Sequence, residues 1–299
     1  MELPIEHLAT FAAILDEGSF EGAAKRLRIT PSAVSQRVKA MEQRVGSVLL
    51  QRTRPVAVTA AGATVLRLAR QLDRLVDDAA RELGAGPAGA GSGPAIIPIV
   101  VNADSLATWF VPALARAARE TGAHFEVLRA DETVSTAALR SGTVVAALTA
   151  TREPVPGCIS TRIGAARYRA VASPEFIAQH FPNGTSASSL AAAPMLEFDR
   201  HDTFQQRYLR AATRARVDPP RHYVPSSAEF ARAVELGMGW GMLPEAQSAE
   251  GIAAGRLAEL TPSRSLKLPL YWQRWNLHSP VLDALSQIVE EEGKAALEA

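Results

Sequence analysis

Ser32, Ser35, Gln36, Arg37 and Lys39 crowd the start of a segment, Pro31 to Val45, whose apolar residues recur at helical spacing. That spacing puts Ala33, Val34, Val38 and Met41 on an inward face and Ser32, Ser35, Gln36 and Lys39 on an outward one. An outward face of hydroxyls, an amide and a cation can pair with base edges in a major groove. Glutamine pairs bidentately with adenine, and serine serves several bases. Arg37 and Lys39 suit phosphates or flanking bases; Arg52 and Arg54 suit the backbone or a minor groove. The surrounding charge agrees. Between Lys25 and Arg54 stand eight basic residues and one acid, Glu42, in a chain whose net charge is only +1. Such a basic island is the footprint of a phosphate-contacting face. The alternatives are a solvated basic face and, for Ser35, a hydroxyl bonded to its own backbone. Arg44, near the helix C-terminus, is favoured there by the helix dipole alone.

These residues need a frame. Ile5, Leu8, Phe11, Ala12 and Leu15 predict a first amphipathic helix over 5–17, ended by Gly18. Ser19 can cap a second helix from Phe20 to Leu27. Thr30 as N-cap and Pro31 at the first position open the third, and Gly46 stops it. Two short strands, 48–50 and 56–58, flank Arg52 and Arg54 as a β-wing. Residues 1–58 therefore read as a winged helix-turn-helix. A long helix follows over 59–83. Its apolar positions Val65, Ala69, Leu72, Val76, Ala79 and Leu83 alternate in steps of four and three, which predicts a dimerisation seam. Residues 84–94, rich in Gly, Ala and Pro, read as a flexible linker. From residue 95 strands and helices alternate in β-α-β order, the pattern of a doubly wound α/β sheet. Crossover strands near Ile163 and Leu266 divide it into lobe I (95–164 and 267–299) and lobe II (165–266). Ligands in such sheets bind at the carboxyl ends of strands, here in a cleft between lobes.

Several classes are disfavoured. Cys158 is the only cysteine, so neither an intrachain disulfide nor a cysteine metal site is expected. Glu2, Glu6, Asp16 and Glu17 contradict a secretory signal, and no apolar run approaches the length of a membrane span. The expected location is the cytoplasm, with the nucleoid. The six histidines lack metal-ligand spacing, and no GxSxG elbow or P-loop occurs. Gly237-Met-Gly-Trp-Gly241 reads as a tight turn rather than a dinucleotide fingerprint. No enzyme, metal or cofactor is expected.

The run Phe20-Glu-Gly-Ala-Ala-Lys-Arg-Leu27, Pro31-Ser-Ala-Val-Ser-Gln-Arg-Val-Lys-Ala-Met-Glu42, Gly46, Leu49-Leu50, Arg52 and Thr59-Ala-Ala-Gly62 resembles the DNA-binding signature of the LysR-type transcriptional regulators. The resemblance spans essentially the whole chain. It implies a periplasmic-binding-protein-like regulatory domain behind the winged helix. It also implies double-stranded operator DNA as partner, a homodimer or homotetramer, and RNA polymerase as a further partner. Ser32-Ala-Val-Ser-Gln-Arg37, Ala103-Asp-Ser-Leu-Ala-Thr-Trp109, Asp131-Glu-Thr133, Phe181-Pro-Asn-Gly184, Ser226-Ser-Ala-Glu-Phe230 and Leu270-Tyr-Trp272 look like the ArgP/LysG subfamily. That narrower resemblance implies L-lysine or L-arginine as effector and activation of export or metabolism genes. Pro31 departs from the polar residue common there and removes one base contact.

A basic amino acid presents a carboxylate, an α-ammonium and a distal cation. Helix N-termini suit the carboxylate. Two are predicted, at Asp104-Ser105 and Ser226-Ser227, which makes Ser105, Thr108, Ser226 and Ser227 candidate carboxylate contacts. Asp104, Asp131, Glu132, Asp199, Asp202 and Glu229 are the acids near the expected cleft. Asp199 and Asp202, after a lobe II strand, are the favoured cation partners, with simple capping as the alternative. Trp109 and Trp272 are candidates for the pocket wall or a cation–π face, with a core role as the alternative. Two functional alternatives stay open: a regulator of the same class with another small-molecule effector, and an architectural DNA-binding protein indifferent to metabolites.

Overall fold

The structure, a computed structural model, describes residues 2–51, 53–83, 96–130 and 132–298. The chain opens with α1 (Ile5–Asp16), α2 (Phe20–Leu27) and α3 (Pro31–Val45). Local side chains set their limits. Ser19 Oγ accepts from the Gly22 amide at 3.0 Å and Thr30 Oγ1 from the Ala33 amide at 3.2 Å. Arg28 and Gly46 end α2 and α3 in the left-handed conformation. Phe11, Ile14, Ala23, Val34 and Met41 bury together between the three helices. The wing pairs β1 (Leu50–Gln51) antiparallel with β2 (Ala57–Val58). Glu42, the single acid of the basic stretch, accepts from the Leu49 amide at 2.8 Å and so fixes the approach to the wing. Arg52 lies outside the described residues.

Helix α4 (Ala60–Glu82) is capped by Thr59, whose Oγ1 accepts from the Gly62 amide at 3.0 Å and donates to the Val48 carbonyl at 2.7 Å. A Cβ at Gly62 would sit 2.0 Å from the Leu49 carbonyl oxygen, so only glycine lets helix and wing approach this closely. The predicted seam divides in two. Val65 and Ala69 are buried, and Leu72 packs on the same core, against the chain's own α1. Val76, 48% exposed, and Leu83, 82% exposed, face outward. The N-terminal half of the seam is thus occupied within the subunit, because α1 offers an apolar face that the sequence periodicity cannot reveal. The predicted linker 84–94 lies outside the described residues.

The first lobe holds β3 (Ile96–Val101), the short helix α5 (Ala103–Ser105), a π turn (Leu106–Phe110), α6 (Val111–Thr121), β4 (His124–Arg129), α7 (Glu132–Ser141) and β5 (Ala146–Thr149). Strand β3 is central and pairs in parallel with β4 and β5. Strand β6 (Cys158–Ala172) then crosses into the second lobe. There follow α8 (Pro174–His180), α9 (Ala187–Ala192), β7 (Met195–Glu197), α10 (Phe204–Ala212), β8 (Arg221–Tyr223), α11 (Ser227–Glu235), β9 (Gly241–Pro244), α12 (Glu245–Ala253) and β10 (Ala258–Glu259). Strand β11 (Ser265–Trp275) returns, and α13 (Pro280–Ala296) covers the first lobe.

Strands β6 and β11 are antiparallel partners, with a register shift between Leu270 and Tyr271. They carry β9 and β10 at one end and β5 at the other, which joins the lobes through one sheet. Both predicted crossover positions, Ile163 and Leu266, lie in these strands. Each lobe has its own core. Ile97, Trp109, Phe110, Trp272 and Leu285 fill the first; Tyr168, Phe176, Met195, Tyr208 and Trp240 fill the second. Trp272 is a core residue whose Nε1 donates to Ser286 Oγ at 2.9 Å.

Candidate functional site

The outward face of α3 is exposed. Ser32, Ser35, Gln36 and Lys39 are exposed, while Val34, Val38 and Met41 are buried beneath them. Arg54 stands exposed on the wing. Arg37 behaves differently. Its Nη1 donates to Thr10 Oγ1 at 3.0 Å and its Nη2 to Glu6 Oε2 at 3.1 Å, so it pins α3 to α1. Arg44 likewise donates to the Glu2 carbonyl at 3.2 Å.

The lobes enclose a cavity of about 570 Å³ at the carboxyl ends of β3, β4, β5 and β7. Asp104, in the short helix α5 directly after β3, is its polar centre. Tyr168 Oη donates to Asp104 Oδ2 at 2.7 Å, and Ser227 Oγ, from the opposite lobe, donates to Asp104 Oδ1 at 2.6 Å. Burial, then the Asp104 charge, holds the Tyr168 phenol well above its ordinary pKa, so it stays a donor. Asp199 and Asp202 also line the cavity. Asp202 Oδ2 accepts from the Phe198 amide and its Oδ1 from the Phe204 amide, each at 2.9 Å. Asp199 Oδ1 accepts from the His201 amide at 2.7 Å. These acids therefore shape the loop 198–204 as well as facing the cavity. Burial raises the Asp202 carboxyl above its ordinary value.

The remaining predicted residues separate from this group. Ser105, Thr108 and Trp109 line a second cavity of about 260 Å³, which shares Asp104 and Tyr168 with the first. Ser226 lies at the start of α11, but its Oγ donates to Glu229, and neither lines either cavity. That hydrogen bond lowers the Glu229 pKa. Asp131 lies outside the described residues.

Sequence reasoning missed Arg129, Ser135, Thr149, Tyr168, Phe198 and Phe204 as lining residues. Arg129 and Thr149 end strands β4 and β5, so the strand-end rule that singled out Asp104 could have found them. Tyr168 carries no such signal; it sits in the middle of a crossover strand. The arginine guanidinium lies 5.6 Å from the Phe198 ring centroid, across the cleft.

Helix α7 reaches from the cavity to a contact with the DNA-binding module. Val134 and Ser135, near the start of α7, line it. At the far end of α7, Arg70 of α4 donates to Thr143 Oγ1 at 3.3 Å, and its other terminal nitrogen donates to Asp16 Oδ1 of α1 at 2.9 Å.

A winged helix joined through one long helix to a two-lobed cleft is the architecture of a ligand-responsive transcriptional regulator. Residues 5–63 match the bacterial regulatory helix-turn-helix protein, lysR family, and residues 98–294 match the LysR substrate binding domain. The chain belongs to the LysR family of DNA-binding transcriptional regulators. It is similar to the lysine export transcriptional regulatory protein LysG of Corynebacterium efficiens, 39% identical over 97% of this chain and 98% of that one. The crystal structure of ArgP from Mycobacterium tuberculosis superposes with a TM-score of 0.90, at 39% identity and 98% coverage of both chains. Full-length LysG of Corynebacterium glutamicum with bound effector Arg gives 0.86, at 36% identity, over 99% of this chain and all of that one. Among the described residues no helix is long and apolar enough to cross a membrane, and no cluster of His, Cys, Asp and Glu could hold a metal ion.

Proposed function

We propose that this regulator senses a basic amino acid, L-lysine or L-arginine, in the interlobe cavity and activates genes for its export or metabolism. The observation that carries the reading is the charge of the cavity. Three carboxylates, Asp104, Asp199 and Asp202, face it against one guanidinium, Arg129. Such a lining favours a ligand of net positive charge, and the volume suits one long-chain amino acid. Phe198, Phe204 and Tyr168 supply walls for a methylene chain and a cation. The names of the LysG and ArgP relatives, and the arginine bound to one of them, support the same class of effector.

In this reading Ser32, Ser35 and Gln36 read bases, Lys39 reaches phosphates or flanking bases, and Arg52 and Arg54 contact the backbone or a minor groove. Residues 1–58, 59–83 and 95–299 are the DNA-binding, dimerisation and effector domains. The protein acts in the cytoplasm, on nucleoid DNA, as a dimer or tetramer that contacts RNA polymerase. Isothermal calorimetry of the full-length protein with L-lysine, L-arginine and L-leucine tests it. Saturable binding of a basic amino acid, without leucine binding, is expected. No binding of either basic amino acid sinks the effector assignment and leaves the family standing.

A further inference from the structure

We infer that Arg129 is the residue that recognises the effector's α-carboxylate, and that it couples this contact to cleft closure; this rests on the amino-acid reading above. An amino acid brings one anion into a cavity that already holds three. It is best met by a cation, and the described lining offers one. At the N-terminus of α11 the Asp104 carboxylate accepts from the Ser227 hydroxyl, so a second anion placed there meets a like charge. Ser226, the N-cap, spends its hydroxyl on Glu229. Arg129 is the sole cation among the described lining residues. Its side chain forms no hydrogen bond or ion pair with any described residue, although three acids line the same cavity. Its guanidinium rests over Phe198 instead, at 5.6 Å.

The stacked geometry suits this task. A guanidinium over an aromatic face keeps its in-plane N–H groups available for a carboxylate fork. Arg129 ends β4 in the first lobe and Phe198 follows β7 in the second, so a carboxylate held by Arg129 lies where the two lobes meet. Binding that orders this stack favours the closed arrangement of the cleft. Asp104, Asp199 and Asp202 then remain for the two ammonium or guanidinium ends.

The test compares L-lysine with L-lysinamide, which lacks only the carboxylate charge, on the full-length protein by calorimetry. The wild type is expected to bind lysine about 10- to 150-fold more tightly than the amide, the span of a charge-assisted contact. Arg129→Met, which keeps the stem over Phe198, should weaken lysine binding by a similar factor and remove the preference. Arg129→Lys should restore part of it. A preference for the acid that survives intact in Arg129→Met overturns the inference. A wild type that binds neither lysine nor arginine overturns the effector assignment first, and this inference with it.

Discussion

Ser227 Oγ donates to Asp104 Oδ1 at 2.6 Å, and this bond ties the short helix after β3 in one lobe to the first turn of α11 in the other. The same carboxylate accepts from Tyr168 on the crossover strand. Asp104 is thus held by both lobes and by the element between them, with its charge turned to the cavity. Asp104→Ala should weaken lysine binding about 10- to 150-fold, the cost of a lost charged hydrogen bond. Calorimetry reads this directly. An unchanged dissociation constant would leave Asp104 a structural bridge only.

Asp202 predicts a pH dependence. Burial raises its carboxyl above the ordinary value, so the folded state favours the protonated form. The sign follows from linkage. Its stabilising contribution is present at low pH and is lost as the pH rises through the raised pKa. A bound cation facing Asp202 favours the ionised form and pulls the pKa down again. Effector binding should therefore release protons, and affinity should rise with pH across the range in which the raised carboxyl titrates. Calorimetry in two buffers of different ionisation enthalpy measures the proton count. Proton-neutral binding throughout that range would place the ligand's cation elsewhere.

Gln36→Ala should weaken operator binding by about 1–3 kcal/mol, the worth of a bidentate base contact. Lysine affinity should stay within about twofold of wild type, because the exposed face of α3 shares nothing with the cleft. Fluorescence anisotropy and calorimetry on one preparation measure both. Equal loss of the two affinities contradicts the modular arrangement.

Arg70 joins α1, α4 and the turn after α7, while the start of α7 lines the cavity. Arg70→Met should leave lysine affinity near wild type yet reduce the effect of lysine on operator binding. The measured quantity is the ratio of operator affinities with and without lysine. Coupling typically amounts to about 1–3 kcal/mol, so a fall toward a ratio of one is readily seen. A full wild-type ratio in the variant assigns the signal to another route.

The outward half of the α4 seam should be the dimer contact. Val76→Glu places a charge on an apolar stripe that continues through the exposed Leu83. Sedimentation velocity should show the wild type as a dimer or larger and the variant shifted toward monomer at equal concentration. Val65 offers no such test, since it is buried in the core of its own subunit's DNA-binding module.

The first three helices and the last were legible from residues 5–45 and 280–296 alone. Their limits are set by Ser19, Thr30, Gly46 and Pro280, groups that act on backbone within about four residues of themselves. The basic island around α3 and the alternation of strands and helices after residue 95 are equally local in origin. The cleft is not. Asp104 and Ser227 are 123 residues apart, and Arg129 reaches Phe198 only because β4 and β7 end on facing edges of two lobes. Periodicity marks which residues turn inward but not which partner they meet. The seam of α4 therefore read as one continuous stripe, although α1 claims half of it. Which acid serves a ligand and which caps a loop is likewise a matter of packing: Glu229 bonds to Ser226 three residues away, while Asp104 is placed by strands that only the folded sheet brings together.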